Sequence, residues 1–288
     1  MHSTFSVANL NPAMSSTQMP EIVFGSDKKP PFSKLSRTFY TEMLDSWAVP
    51  RVHIATPERA YNAAMRTHTD FREAVDHLPE AAVLVLDGIT WEEYEQVLED
   101  LDEHPGVRVT YDQGRLEIVT TSAAHERRKE FILGLVRILS EELKVGVESL
   151  GGTTEKRKRN LKGTEPDTCF YVGNLERIIG KEELNLEVDP PPDIVIEVDK
   201  SNQSLNKFPI YATFGVPEIW RYDVRRKGAQ IYELRDKSYS EVTASRFFSI
   251  LTSTVLGDFV EQSTAQGQTA ALATFRQWVR SSAHPRDP

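Results

Sequence analysis

The chain has 288 residues, 39% of them hydrophobic, and its 34 lysines and arginines against 43 aspartates and glutamates give a formal net charge of -9. This length suits one large domain or two modest ones, and the acidic total disfavours a protein that coats nucleic acid through charge alone. The single cysteine, Cys169, excludes an internal disulfide and a thiolate zinc site, so we expect a reducing compartment, the cytoplasm. No apolar run approaches the roughly 18 residues of a membrane-spanning helix, and no membrane partner is expected.

The N-terminal part of the chain carries little patterning. Residues 1–50 are rich in polar residues and prolines and lack the basic start and continuous apolar stretch of a secretory signal. We therefore predict a disordered leader over residues 1–50 and an accessory segment over residues 51–84.

Clear secondary-structure signals begin near residue 90. Thr90 and Glu93 form a Thr-x-x-Glu capping box ahead of an amphipathic helix. The Gly-containing turn at residues 112–114 lies between two strand-like runs and predicts a β-hairpin. Ser122 is suited to be the N-cap of a long helix over residues 123–144, which ends before Gly146.

The second half of the chain alternates strands and helices. Residues 193–198 form a nearly continuous apolar run after three prolines, which is typical of a strand buried on both faces. The other predicted strands are 145–150, 168–172, 218–222 and 229–234, and the other predicted helices are 202–214 and 270–280. This order predicts an α/β fold built on one mixed central sheet.

Three acidic residues are placed where a buried sheet would bring them together. Asp167 precedes one strand, Glu197 ends another, and Glu117 lies on the hairpin. Carboxylates that enter a core are costly unless they are paired or bound to a cation, and converging oxygens suit Mg²⁺ or Mn²⁺. Lys207, at the start of the next helix, is placed to reach back to a scissile phosphate. Together these residues predict a site that hydrolyses phosphodiester bonds.

The order of these residues resembles a known family. The resemblance is to the Uma-two restriction endonuclease family of the PD-(D/E)xK nuclease superfamily, and it covers residues 85–260, with residues 261–288 left as a C-terminal helix and tail. The motifs that carry it are Glu165-Pro166-Asp167, Pro192-Asp193-Ile194-Val195-Ile196-Glu197-Val198, Lys207 with Tyr211, Phe214-Gly215-Val216-Pro217-Glu218-Ile219-Trp220, Tyr111 to Ile118, and His125-Glu126.

The resemblance implies a restriction-endonuclease-like central sheet flanked by helices and a Mg²⁺- or Mn²⁺-dependent endonuclease acting on DNA. It implies that Asp167 and Glu197 ligate the metal, assisted by the backbone carbonyl of Val198, and that Lys207 stabilises charge. Glu117 and His125 are further candidate catalytic residues, His125 as a general base or phosphate contact and each with a plain surface role as its alternative. A homodimer would suit double-strand cleavage.

One position departs from the superfamily pattern. The lysine expected two residues after Glu197 is Asp199, but the Uma-two family typically moves its lysine to the following helix, where Lys207 stands; Lys200 is an outward-facing candidate. Because Pro209 is tolerated only in the first helical turn, we expect Asn206 to be the N-cap and Lys207 the first helical residue. Asp199 also motivates an alternative, a catalytically inactive nuclease-fold module that binds nucleic acid or protein. A hydrolase acting on RNA or another phosphodiester is a third hypothesis.

The remaining candidates are assigned by their surroundings. Asp193 lies about 13 Å from Glu197 by strand rise, too far to share an ion, and is interpreted as structural. Tyr211, Trp220 and Cys169 are interpreted as core packing. A basic run directly before the strand of Asp167 is predicted to bind a phosphate backbone, with a solvated loop as the alternative. The run consists of Lys156, Arg157, Lys158, Arg159 and Lys162.

Overall fold

The computed structural model describes residues 51–54, 71–76, 78–102, 104, 106–199 and 206–283, with backbone alone for residues 51–54. The predicted leader and half of the accessory segment lie outside these residues. The helices are α1 Phe71–Asp76, α2 Trp91–Leu101, α3 Ala123–Leu143, α4 Leu175–Ile178, α5 Phe208–Phe214, α6 Ser253–Gln266 and α7 Gln268–Ala283. The strands are β1 Arg51–Ile54, β2 Val83–Asp87, β3 Val107–Asp112, β4 Arg115–Thr120, β5 Glu148–Gly151, β6 Glu155–Arg157, β7 Lys162–Thr164, β8 Thr168–Tyr171, β9 Ile194–Asp199, β10 Glu218–Asp223, β11 Gly228–Arg235 and β12 Ser238–Val242.

The first sheet has the strand order β1-β2-β4-β3-β7-β6 and carries α2 on one face. The capping box predicted for α2 is confirmed, since the Thr90 side chain accepts from the Glu93 amide and the Glu93 carboxylate accepts from the Thr90 amide. The predicted hairpin is also confirmed as β3 and β4. Its turn residues, Gln113 and Gly114, have φ of 50° and 97°, the positive values that a tight two-residue hairpin turn requires.

The second sheet has the order β12-β11-β10-β9-β8-β5, with β9 and β10 parallel and the other pairs antiparallel. The helices α3, α6 and α7 pack on one face, and α5 packs on the other. In β9, Ile194 and Ile196 point into the first of these cores and Val195 into the second. The prediction of a strand buried on both faces is confirmed, and so is the α/β fold with a mixed central sheet flanked by helices.

The strands of the described residues divide into two sheets, whereas the sequence predicted one. The reason is non-local pairing, since β2 pairs with β4 through Val83 and Val119, which are far apart in the chain. The expected boundary at residue 84 therefore falls inside β2. At the other end α6 runs across residue 260, and the Phe259 and Phe275 rings meet at 4.8 Å, so that α6 and α7 complete the core against α3.

The two sheets are joined by a very short connection. β7 ends at Thr164 in the first sheet and β8 begins at Thr168 in the second, so this crossing between the sheets takes only residues 165–167. The candidate Asp167 is therefore fixed at the junction of the sheets. Among the described residues, no helix has the length and apolarity needed to span a bilayer.

Candidate active site

Asp167 and Glu197 lie opposite each other at the junction of the sheets. Thr168 is paired with Ile196 in the β8–β9 ladder, and the Asp167 amide donates to the Ile196 carbonyl at 3.2 Å. One further step along the antiparallel ladder places Asp167 across from Glu197. Both are nearly inaccessible, at 4% and 6% exposure. The structure thus brings together the two carboxylates that the sequence predicted as metal ligands.

Asp167 is held by two donors. Its Oδ2 accepts from the Val198 amide at 2.7 Å and lies 3.0 Å from Nε2 of His125. His125 reaches it because Ser122 caps α3 and so fixes the first helical turn next to the sheet junction. Burial opposes the imidazolium, but the carboxylates of Asp167 and Glu126 together outweigh burial and raise the pKa of His125 to about 9.

The reverse influence acts on Asp167. Burial raises the pKa of its carboxyl group, but His125 and Lys207 act against burial and hold that pKa below its usual value. At neutral pH the pair is therefore an imidazolium and a carboxylate. A charged His125 has no free lone pair, so this state favours a role in orienting Asp167 over a role as general base.

Lys207 contacts both oxygens of Glu197. Its Nζ lies 3.2 Å from Oε1 and 3.0 Å from Oε2, and it also donates to the Glu165 carbonyl at 3.0 Å. Lys207 itself occupies the N-cap position of α5, so the prediction of Asn206 as N-cap is wrong by one residue. The Asn206 side chain still accepts from the Phe208 amide at 3.1 Å, and Pro209 is the second helical residue, within the first turn that tolerates proline.

The electrostatics of Glu197 reflect its crowded position. Burial raises its pKa to about 7, with Asp167 and Asp199 adding to this effect and Lys207 opposing it. The ammonium of Lys207 is kept charged against burial by Glu197 and Asp167, which raise its pKa. A buried carboxylate that shares its surroundings with two other carboxylates would be stabilised in its ionised form by a divalent cation.

The oxygen atoms at the junction fit Mg²⁺ or Mn²⁺. In a sheet the N–H and C=O of one residue point to the same neighbour, so the Val198 carbonyl points to the side on which its amide meets Asp167. Two carboxylates and a carbonyl suit a hard cation that keeps several waters. Within the described ranges no group of three His, Cys, Asp or Glu side chains converges as a metal-binding cluster.

Tyr211 belongs to this site, although the sequence suggested core packing alone. It is fully buried and donates its hydroxyl proton to Oε1 of Glu197. Burial and Glu197 raise the pKa of the Tyr211 hydroxyl, and Thr164 acts against this rise; the Thr164 and Thr110 oxygens lie 3.0 Å apart. The four-residue spacing between Lys207 and Tyr211 was the available signal, because it places both on one helix face.

Glu117 lies at the far end of this polar row. It is fully buried in β4 and stands opposite Thr110 of β3, which in turn stands opposite Thr164 of β7. Directly opposed residues of antiparallel strands share one face of the sheet. Glu117 therefore lies in the first sheet, on the face that carries the threonines toward Tyr211.

Asp199 ends β9 and Asp193 directly precedes it, and the two aspartates have different partners. Asp199, at the position of the expected superfamily lysine, accepts from Nε of Arg221 on the neighbouring β10 at 2.5 Å. Asp193 accepts from the Val172 amide and from the amide and side chain of Asn174, each at 2.8 Å. These bonds support the structural interpretation of Asp193. Lys200 lies outside the described residues.

The predicted basic run is paired with acidic side chains. Arg157 is buried and donates to the carbonyls of Leu186, Thr213 and Phe214, so the structure favours a structural role for it. The other members meet Glu95, Glu92, Glu187 and Asp112, as the pairs Lys156–Glu95, Lys158–Glu92, Arg159–Glu187 and Lys162–Asp112. Phosphate binding by these four stays a prediction.

Comparison with known proteins places this site in a family. No curated protein matches the chain. A crystal structure from Anabaena variabilis, described as "a putative nuclease belonging to DUF820", is 15% identical, with a TM-score of 0.42 over 64% of this chain and 99% of that one. The profile described as "Uma2: Putative restriction endonuclease" matches residues 91–265. Because that match spans more than half of the chain, the chain belongs to the Uma2 family, as its motifs indicated.

Proposed function

We propose that this protein is a metal-dependent endonuclease that hydrolyses phosphodiester bonds in DNA. The observation that carries the proposal is the buried convergence of Asp167, Glu197 and Lys207 at the junction of the two sheets. Membership of a family described as restriction endonucleases supports the class of reaction.

Each residue has a distinct role in this proposal. Asp167, Glu197 and the Val198 carbonyl would hold Mg²⁺ or Mn²⁺. When bound, such an ion polarises the phosphoryl oxygen and makes water a stronger nucleophile. Lys207, already fixed by Glu197 and the Glu165 carbonyl, carries a positive charge that stabilises negative charge developing on the phosphate.

The remaining residues orient these groups. His125 keeps Asp167 ionised and fixed in orientation through the contact between Nε2 and Oδ2. Tyr211 fixes one oxygen of Glu197. Glu117 lies in the first sheet opposite Thr110, at the far end of the polar row behind Tyr211. Cleavage of both DNA strands would require two copies of the chain, one acting on each strand. We place this activity in the cytoplasm.

The test is cleavage of supercoiled plasmid, single-stranded DNA and RNA with Mg²⁺ or Mn²⁺, compared with EDTA. The variants Asp167→Asn, Glu197→Gln and Lys207→Met keep side-chain size, and each is expected to lower the rate by about 100-fold or more. Glu142→Gln is the matched control, since Glu142 pairs with Arg276 and Arg280 between α3 and α7. It should cleave like the parent.

The outcomes separate the competing hypotheses. A parent that cleaves no substrate and binds no Mn²⁺ in calorimetry would exclude the nuclease. An inactive binding module is indicated if such a parent still binds DNA and both Asp167→Asn and Glu197→Gln keep that affinity. Cleavage of RNA but not of DNA would instead reassign the substrate.

A further inference from the structure

We propose that the DNA backbone crosses a second basic surface, distinct from the run at residues 156–162. This surface, here called the turn surface, is formed by Arg127 and Arg128 of α3 and by Arg225, Arg226 and Lys227 of the turn between β10 and β11. The inference rests on the proposed function, because it names the surface through which that substrate is held.

Strand register places the turn surface beside the candidate site. In the parallel β9–β10 pair, Glu197 is opposite Arg221 and Asp199 is opposite Asp223, and the Val224 amide donates to the Asp199 carbonyl at 2.8 Å. The turn therefore leaves the sheet at the edge where the strand of Glu197 ends. Two residues of strand rise carry β10 about 7 Å beyond the level of Glu197 before the turn begins. That span corresponds to roughly two base steps of a DNA strand.

Helix α3 reaches the same edge from above the sheet. His125, which contacts Asp167, lies three residues before Arg128 on one face of the helix. The Arg128 guanidinium is 6.0 Å from the centre of the Tyr222 ring, and Tyr222 is aligned with Val198 in the ladder. The first turns of α3 and the turn after β10 thus flank the end of β9 together.

The charges of the turn surface are available to a ligand. Arg226 and Lys227 are 72% and 71% exposed, and their acidic neighbours, Asp223 and Glu261, stand at 3.7 and 3.8 Å. Exposed pairs this long contribute little and exchange readily for another anion. Arg127 and Arg225 are exposed, and the described part of the chain offers neither of them an ion pair.

The run at residues 156–162 differs in this respect. Its lysines face Glu95, Glu92 and Asp112 of the first sheet and its helix, and its remaining arginine faces Glu187 between α4 and β9, all at 3.3 Å or less. A phosphate would have to displace those partners. Neutralising phosphates releases the counterions condensed on DNA, and a cation held by a close carboxylate does so less well. The turn surface, whose cations have long ion pairs or none among the described residues, is therefore the better match for a DNA backbone.

The test measures duplex DNA binding by fluorescence anisotropy over a salt series, in an Asp167→Asn background that leaves the DNA intact. The turn triple, Arg225→Gln with Arg226→Gln and Lys227→Gln, is compared with a control triple of equal charge change at exposed positions away from this turn. The control triple is Lys181→Gln, Arg235→Gln and Lys237→Gln. A third triple changes Lys156, Lys158 and Arg159 to Gln.

The turn triple is expected to weaken binding by about 10-fold or more at low salt and to reduce the log–log salt slope by about two to three. A loss no larger than that of the control triple overturns the proposal, as does a larger loss in the third triple. Arg127→Gln and Arg225→Gln alone provide exposed single changes should the triple fold poorly.

Cleavage by the unmodified parent separates this inference from the proposed function. A parent that cleaves DNA while the turn triple binds normally retains the function and rejects the surface. A parent that binds through the turn surface but cleaves nothing retains the surface and rejects the function. A parent that binds no DNA rejects the surface directly.

Discussion

Tyr211 donates its only hydroxyl proton to Oε1 of Glu197, so its oxygen can only accept from any other group. Behind Tyr211, the buried Thr164 and Thr110 oxygens lie 3.0 Å apart, and either hydroxyl can be the donor. Burial and Glu197 raise the pKa of Tyr211, and Thr164 acts against this rise. Hydrogen-bonding groups aligned in such a chain polarise and strengthen one another.

This alignment predicts energetic coupling between Thr110→Val and Tyr211→Phe, although Thr164 stands between the two residues. We expect their effects on the free energy of unfolding in urea to be non-additive by about 0.5–3 kcal/mol. Thr168→Val with Tyr211→Phe is the control cycle, because within the described residues the buried Thr168 hydroxyl has no partner. Additivity of Thr110→Val and Tyr211→Phe would show that no such chain exists.

The contact between Lys207 and Glu197 predicts a large cost when one partner is removed. Lys207→Met leaves Glu197 buried without its cation and is expected to lower the free energy of unfolding at pH 8 by about 3–5 kcal/mol. The double variant Lys207→Met with Glu197→Gln should recover part of that loss. Urea unfolding measures both, with the exposed Lys181→Met as the control. Equal losses in the single and double variants would contradict a coupled pair.

Glu155 predicts a dependence of stability on pH. It is buried in β6, and burial raises its pKa from 4.5 to about 8. In the unfolded chain Glu155 ionises near its ordinary pKa of 4.5. The stability that the neutral side chain contributes is therefore complete below pH 4.5 and is lost as the pH rises toward the folded pKa. Each pH unit across the window costs at most about 1.4 kcal/mol.

Glu155→Gln should remove this loss. The variant is expected to exceed the parent in melting temperature by little at pH 5 and by more at pH 8, as followed by circular dichroism. Glu148→Gln, a change at an exposed residue, should show no such trend. A difference that is constant from pH 5 to pH 8 would indicate that Glu155 is already ionised in the folded protein.

The bonds of Asp193 predict a structural effect that leaves the metal ligands untouched. Asp193→Ala removes the acceptor for the Val172 and Asn174 amides and is expected to cost about 2 kcal/mol of unfolding free energy. Its affinity for Mn²⁺ should match that of the parent in calorimetry. The stability of Asp193→Asn should fall between that of the parent and that of Asp193→Ala. A marked loss of Mn²⁺ affinity would instead assign Asp193 to the metal site.

Local features of this fold could be predicted from the sequence because their contacts lie within a few residues. The capping box of Thr90 and Glu93, the hairpin turn at Gln113 and the N-cap at Ser122 each involve partners at most a few positions apart. The apolar run of β9 likewise predicted its burial on both faces. The helix α6 lacked so clear a signal and was not predicted.

The candidate site was predicted in part. The motif order identified Asp167, Glu197 and Lys207, and Lys207 reaches Glu197 even though Asp199 replaces the usual lysine. The role of Tyr211 was missed because a tyrosine near the end of a short helix is most often core packing. The position of Glu117 depended on the pairing of three strands, which no local pattern specifies.

The sequence by itself determined the family, the α/β class and the residue types of the site, since these depend on motifs and on short-range periodicity. Only the tertiary structure decided how the strands divide into two sheets and which charges meet. Thr110 and Thr164 are 54 residues apart, and Lys158 and Glu92 are 66 apart. Such pairs form because burial and strand pairing bring distant segments together, and that information is spread over the whole chain.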